Sequence, residues 1–145
     1  QPYMCISKGA DYFYISENLR VIDRKNINVD KCIEVLGVDI GDISQGEYVK
    51  PTEENNLELV LESYSTIINS SLKDITKIDM TDIMNVNIYC GNRILIKVGA
   101  ITNLQYKLDT ASQIIMDKIA EGQYGVLDVQ ITGKAFFKET GKDFS

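Results

Sequence analysis

The segment "NVNIYCGNRILIKVG" (residues 85–99) decides the fold, because its two apolar runs can form a hairpin in only one satisfactory register. A two-residue loop at Gly91-Asn92 would set Ile88 across from Leu95 and send the two apolar sets to opposite faces. A one-residue slip moves every side chain of a strand to the other face. We therefore predict a three-residue loop, with Gly91 or Asn92 at a positive φ. This loop aligns one apolar set, Val86, Ile88 and Cys90, with the other, Ile94, Ile96 and Val98.

Helical periodicity flanks this hairpin on both sides. Apolar residues spaced three or four apart predict one helix over about 53–71, with Thr52 as its N-cap. The same spacing predicts a second helix from about 103, with Thr102 and Gln105 as a capping box and Gly122 as its stop. Gly99, between the hairpin and this helix, is better explained by close packing or a special φ than by a phosphate-binding turn.

Short strands account for most of the remaining sequence. The alternating segments 2–7, 12–16, 20–23 and 31–36 come first, and a loop from 37 to 51 follows them. Segments 75–80 and 126–131 complete the set, the latter with Leu127, Val129 and Ile131 on one face. Together the elements predict an α+β fold with a mixed, mostly antiparallel sheet and two helices packed on it. We expect a single domain over 1–138, with strands and loop in 1–50 and a helix–sheet core in 53–138, followed by a flexible tail over 139–145.

The pair Phe136-Phe137 raises a separate question, because neighbouring strand residues point to opposite faces. Continuing the alternation past Gly133 assigns Ala135 and Phe137 to the core side and leaves Phe136 on the other; a bulge at Gly133 would exchange the two rings. One ring is surplus in either case. It could cover a neighbouring element, or it could anchor a partner at an edge strand.

Composition argues against several classes of protein. The chain of 145 residues has a net charge of −6, and its twelve lysines and three arginines are scattered, so nucleic acid is not an expected partner. No apolar run approaches the length that spans a bilayer. Three cysteines cannot form a complete set of disulfides, and we interpret Cys5, Cys32 and Cys90 as small buried hydrophobes.

The usual catalytic signatures are absent. The sequence contains no histidine, which removes the commonest general base and metal ligand, and we find no nucleotide-binding or hydrolase motif. The acidic stretch 38–47, with Asp39, Asp42, Ser44 and Glu47, lacks the spacing of a calcium loop and is interpreted as a solvated loop. We therefore predict no catalytic residues, no metal site and no cofactor, and interpret Asp79 and Asp82 as turn residues.

The order of these elements resembles the C-terminal β domain of FtsQ/DivIB bacterial cell-division proteins. The stretch 94–115 is similar to that family's strand ending in a hydrophobe and glycine, here Val98-Gly99, followed by a helix containing Leu-x-x-Lys-Leu, here Leu104, Lys107 and Leu108. The strand 126–131 resembles its next element. Segments 11–23 and 32–40 are similar to its hairpin and to a segment ending in glycine.

The resemblance implies a function as well as a fold. The domain would belong to a single-pass membrane protein whose anchor and POTRA domain are outside this sequence, and it would lie outside the plasma membrane at the division septum. The family has no catalytic activity; its β domain binds FtsB/DivIC, which travels with FtsL, at the last strands. Here the implied contacts are Val129, Ile131, Gly133, Ala135, Phe136 and Phe137, with strand addition (β-augmentation) at the edge as the expected mode of binding in the divisome.

Two other readings of the sequence predict different observations. Another extracytoplasmic module, such as a surface or sporulation protein, could use the same sheet edge. A cytosolic enzyme that relies on acidic residues would require a deep pocket with converging carboxylates.

Overall fold

A computed structural model describes residues 3–26 and 32–144 of the chain. Within these ranges, nine strands form one sheet and two helices pack against it, which confirms the predicted α+β fold. The predicted segments 2–7 and 31–36 both begin outside the described residues. The elements are β1 (Met4–Lys8), β2 (Asp11–Ile15), β3 (Val21–Lys25), β4 (Glu34–Leu36), α1 (Leu57–Ile68), β5 (Ile75–Asp79), β6 (Val86–Cys90), β7 (Ile94–Gly99), α2 (Leu104–Lys118), β8 (Tyr124–Asp128) and β9 (Phe136–Thr140).

The strands lie in the order β3-β2-β1-β4-β5-β6-β7-β8-β9. The sheet is mixed and mostly antiparallel, because five of the neighbouring pairs are antiparallel and three are parallel. Each helix connects two parallel neighbours, α1 between β4 and β5 and α2 between β7 and β8. Such crossovers are nearly always right-handed, so two that run in the same direction place both helices on the same face.

The hairpin β6–β7 has the predicted register. Cys90 pairs with Ile94 and Ile88 with Ile96, across a three-residue loop in which Gly91 has a φ of 60°. The register shifts at the far end, where Val86 pairs with Gly99 rather than with Val98. Alternation toward one buried face therefore sufficed to choose between the two loop lengths.

One apolar row crosses eight of the nine strands of the sheet. Its members are cross-strand partners from β2 to β9, and we call them the core row: Phe13, Ile6, Val35, Ile78, Ile88, Ile96, Leu127 and Phe137. All belong to or pack against one hydrophobic core, to which buried residues of both helices also contribute. The face that carries the core row is therefore the helix-covered face, and we call the other the open face.

Both helices begin differently from the prediction. Thr52 is not an N-cap; it exchanges hydrogen bonds with Asn55, whose Oδ1 also accepts from the N–H of Leu57 at 3.0 Å. Helix α1 starts only after Asn56, which has a φ of 48°. The buried Asn55 amide further donates to the carbonyls of Asp39 and Lys50, so it fixes the preceding loop to the helix start. A tertiary contact of this kind cannot be inferred from local capping preference.

The second helix also lacks the predicted capping box. Its N-cap is Asn103, with a φ of 55° and no side-chain cap, while Gln105 donates to Asp109 instead. The helix ends at Lys118, and Gly122, with a φ of 84°, lies in the following turn rather than at the helix end. Gly99 has a φ of 70°, and a Cβ there would lie 2.9 Å from Cγ of Gln130, which confirms the packing interpretation.

The C-terminal segment departs from the prediction in two places. Strand β8 ends at Asp128, so Ile131 lies in the turn and is 59% exposed instead of joining Leu127 and Val129 in the core. Strand β9 continues through Thr140, two residues into the expected tail. Beyond it, the N–H of Phe144 donates to the carbonyl of Asn92 at 2.8 Å.

Gly37 offers a stability test. It has a φ of 90°, and a Cβ there would lie 2.2 Å from Cα of Thr81. We expect Gly37→Ala to lower the free energy of unfolding by about 2–4 kcal/mol, because backbone must move. Gly9→Ala is the control, since Gly9 has a φ of 60° but open space around it; it should cost only about 1–2 kcal/mol. Equal urea midpoints for the two variants would contradict the close-approach argument.

Candidate interaction edge of the sheet

The sheet has two margins, and they are treated differently. The first is β3. There the N–H of Val21 donates to the carbonyl of Glu47 at 2.8 Å, and the carbonyl of Val21 accepts from the N–H of Gly46 at 2.7 Å. A bridge between Arg20 and Tyr48 extends this pairing. The loop before α1 therefore covers part of the β3 edge, which is a common way to block pairing with another chain.

The second margin is β9, the last strand, as the sequence predicts. It pairs antiparallel with β8 alone, from Tyr124 opposite Thr140 to Asp128 opposite Phe136. Within residues 3–26 and 32–144, no further segment pairs with its outer side. An edge strand presents alternate N–H and C=O groups outward, so β9 can accept another strand.

The two phenylalanines of β9 take the sides that the alternation predicts. Phe137 pairs with Leu127, completes the core row and packs against the core. Its ring lies over Gly125, where a Cβ would come within 2.4 Å of its Cζ. Phe136 faces the other way and is 59% exposed. The surplus ring therefore lies on the open face, at the margin of the sheet.

The other predicted contact residues lie in different environments. Val129 is 1% exposed, and its N–H donates to the carbonyl of Lys97 at 3.0 Å. Ile131 and Gly133 lie in the exposed turn before β9, and Ala135 packs partly against the core. Of the six, Phe136 and Ile131 have large, exposed apolar side chains. The structure thus brings these residues to one end of the sheet without giving each an accessible side chain.

The turn before β9 is attached to the helix-covered part of the domain. Asn103 donates to the hydroxyl of Thr132 at 3.2 Å, and Gln130 donates to Asp128 through both its backbone N–H and its side chain. Nearby, Lys107 is buried, donates to the carbonyl of Ala100 at 2.7 Å, and has its pKa lowered by desolvation. Sequence reasoning did not assign the contact between Asn103 and Thr132, because it joins residues 29 positions apart in the chain.

Acidic residues singled out in the sequence serve as turn acceptors. Asp79 accepts from the N–H of Thr81, and Asp82 from those of Met84 and the Asn85 side chain. The hydrogen bonds to Asp82 lower the pKa of its carboxyl group, and the bond from the Asn85 side chain has the larger effect. In the acidic loop, Asp39 accepts from the N–H of Gly41 at 2.9 Å. Among the described residues, no group of three or more candidate ligands is placed to hold a metal ion.

A cleft of about 330 Å³ lies between the end of α1, the β6–β7 loop and α2. Cys90 and Asp74 are among its lining residues, with Arg93 and Lys73. Burial is the main cause that raises the pKa of the Cys90 thiol to about 12, and the negative charge of Asp74 adds to the effect. Asp74 is the single carboxylate among the described lining residues, so converging carboxylates are not found there. Cys5 is likewise buried, whereas Cys32 is half-buried.

Over the described residues, the fold and this edge define a class of protein: an α+β domain with a nine-stranded sheet, one partly covered margin and one open margin. No protein-family profile matches the chain. Among curated proteins, the chain is similar to Cell division protein DivIB of Clostridium acetobutylicum, with 27% identity over 138 residues.

The alignment covers 94% of this chain and 55% of the relative, so the chain spans about half the length of the curated protein it matches. This similarity confirms the resemblance to FtsQ/DivIB proteins. It supports the interpretation of this chain as part of a cell-division protein of the DivIB/FtsQ type. None of the helices in the described part of the chain is long and apolar enough to cross a membrane.

The two phenylalanines should differ in their effect on stability. We expect Phe137→Ala to lower the free energy of unfolding by about 2–4 kcal/mol, because it removes the end of the core row. Phe136→Ala should change it by less than about 0.5 kcal/mol, as is usual for an exposed position. Urea unfolding of both variants provides the comparison, and a larger loss for Phe136→Ala would reverse the assignment of the two rings.

The Cys90 thiol predicts a pH dependence. Its pKa in the folded chain is raised from an ordinary value of 9.0 to about 12, so its contribution to stability is complete below pH 9 and lost as the pH rises toward 12. Between pH 8 and pH 10, this one group should cost about 1 kcal/mol. Urea midpoints at both values should fall less steeply for Cys90→Ala than for the wild type; parallel declines would exclude the effect.

Proposed function

We propose that this chain is a non-catalytic interaction domain of a membrane-anchored division protein. It acts on the extracytoplasmic side of the plasma membrane at the septum, and binds a FtsB/DivIC-type protein together with its FtsL-type companion. The similarity to DivIB supports the role in cell division. The partner, the location and the missing anchor are those that the family resemblance implies.

The observation that carries the proposal is the open margin at β9. The β3 margin is partly covered by the chain's own loop, whereas within the described residues β9 pairs on one side only. Strand addition would use the outward main-chain groups of β9 for affinity and side chains on either face for specificity. The partner therefore adds a strand beside Phe136–Thr140.

Phe136 supplies the anchor at this margin. It is 59% exposed on the open face, directly beside the groups that would pair with the partner strand. A large aromatic side chain that becomes buried at the centre of an interface is a typical hot spot, worth about 2 kcal/mol or more when truncated. Ile131, in the preceding turn, can extend the apolar contact beyond the end of the strand.

Replacement of Phe136 tests the anchor. Phe136→Asp should weaken binding of the FtsB/DivIC-type protein from the same organism at least 30-fold in calorimetry, because it places a charge where an apolar contact is proposed. Met116→Asp is the matched control: Met116 is also an exposed apolar residue, at 70%, but it lies on α2. Both variants should remain folded, and equal affinities for the two would contradict the assignment.

Ala135→Pro would be a less direct test of the edge, because Ala135 precedes β9 and packs partly against the core. Amide hydrogen exchange gives a sharper readout of strand addition. Alternate amides of 136–140 should become protected when the partner binds, while those of the loop-covered β3 should change little. Binding without protection in 136–140 would indicate side-chain docking rather than an added strand.

A further inference from the structure

The open face beside β9 carries a small patch of apolar and basic side chains. Two neighbouring cross-strand rows contain it: Leu95, Val126 and Lys138 in one, and Lys97, Asp128 and Phe136 in the other. Leu95 and Val126 are half-buried, and both lysines are exposed. We call the set formed by Leu95, Lys97, Val126, Phe136 and Lys138 the open-face patch. It continues from the proposed edge onto the face opposite the helices.

The charge of the patch contrasts with that of the chain. The chain has a net charge of −6, yet neither Lys97 nor Lys138 forms an ion pair within the described residues. Asp128, the carboxylate that lies between Lys97 and Phe136 in their cross-strand row, accepts hydrogen bonds from Gln130 through both oxygens, each at 3.0 Å. Two lysines are thus available beside apolar surface to bind an acidic segment.

The chain's own C-terminal segment packs an aromatic ring onto the same face. The row of Leu95 and Val126 continues to Tyr89 and Lys77, where Lys77 lies over the Tyr89 ring at 4.9 Å. The ring of Phe144 packs edge-on against Tyr89, with centroids 6.3 Å apart, and follows Asp143 in the sequence. An aromatic side chain of the chain itself therefore packs on Tyr89, the direct cross-strand neighbour of Leu95 in the open-face patch.

We propose that the open-face patch binds a second segment of the partner that adds a strand to β9. This inference rests on the proposed function. The segment adjoins the added strand in the partner sequence, and it pairs acidic side chains with Lys97 and Lys138 while an aromatic or large aliphatic residue covers Val126 and Phe136. The main-chain hydrogen bonds of strand addition discriminate little between partner sequences. The open-face patch therefore supplies selectivity for a partner segment that is both acidic and apolar.

The test is charge reversal at the two lysines. Lys97→Glu/Lys138→Glu should weaken binding of the FtsB/DivIC-type protein about 10-fold and flatten its dependence on salt concentration, because complementary charges act mainly on association. Lys50→Glu/Lys73→Glu is the matched control, since both lysines are exposed and lie on loops that flank α1. It should change the affinity by less than about twofold.

Amide exchange separates failure of this inference from failure of the proposed function. If the double variant binds with wild-type affinity and salt dependence, and β9 amides still become protected, the patch has no role but strand addition stands. If the wild type itself neither binds the partner nor gains protection over 136–140, the proposed function fails and the inference falls with it. Weaker, salt-insensitive binding with β9 still protected is the expected result.

Discussion

The core row is the contact on which the rest of the structure depends. Its side chains come from eight different strands and meet as cross-strand neighbours, so each buries its neighbours as well as itself. Full burial of one such side chain contributes roughly 1.5–3 kcal/mol. Both helices add buried residues to the same core, and this commits one face of the sheet to packing. The part of the open face near β9 and the β9 margin are what remain available for interaction.

The end of the core row determines the properties of the edge. Phe137 occupies the last core position, and because successive residues alternate, Phe136 must face the open side. Gly125 makes this possible, since any side chain there would collide with the Phe137 ring. The exposed ring at the margin is therefore a consequence of how its neighbour packs, and it requires no special backbone conformation in β9.

The two margins show how one sheet can be protected at one end and available at the other. The loop around Gly46 contributes main-chain partners to β3, and Asn55 holds the base of that loop to the start of α1. At β9 the turn before the strand is held by Asn103 and Thr132, but within the described residues the outer side of the strand is not paired. The chain in which this asymmetry occurs is similar to a cell-division protein, DivIB.

The sequence by itself determined the periodic features: the α+β class, the register of the β6–β7 hairpin and the placement of the two neighbouring phenylalanines on opposite faces. These follow from alternation and burial, which are local properties of the chain. Tertiary structure decided where the helices start: Asn55 donates hydrogen bonds to Asp39 and Lys50 instead of following local capping preferences. It also decided the exposure of Ile131, because the chain turns after Asp128. It also decided that β3 is covered and β9 open, because that difference depends on contacts between segments more than twenty residues apart, and no local pattern records them.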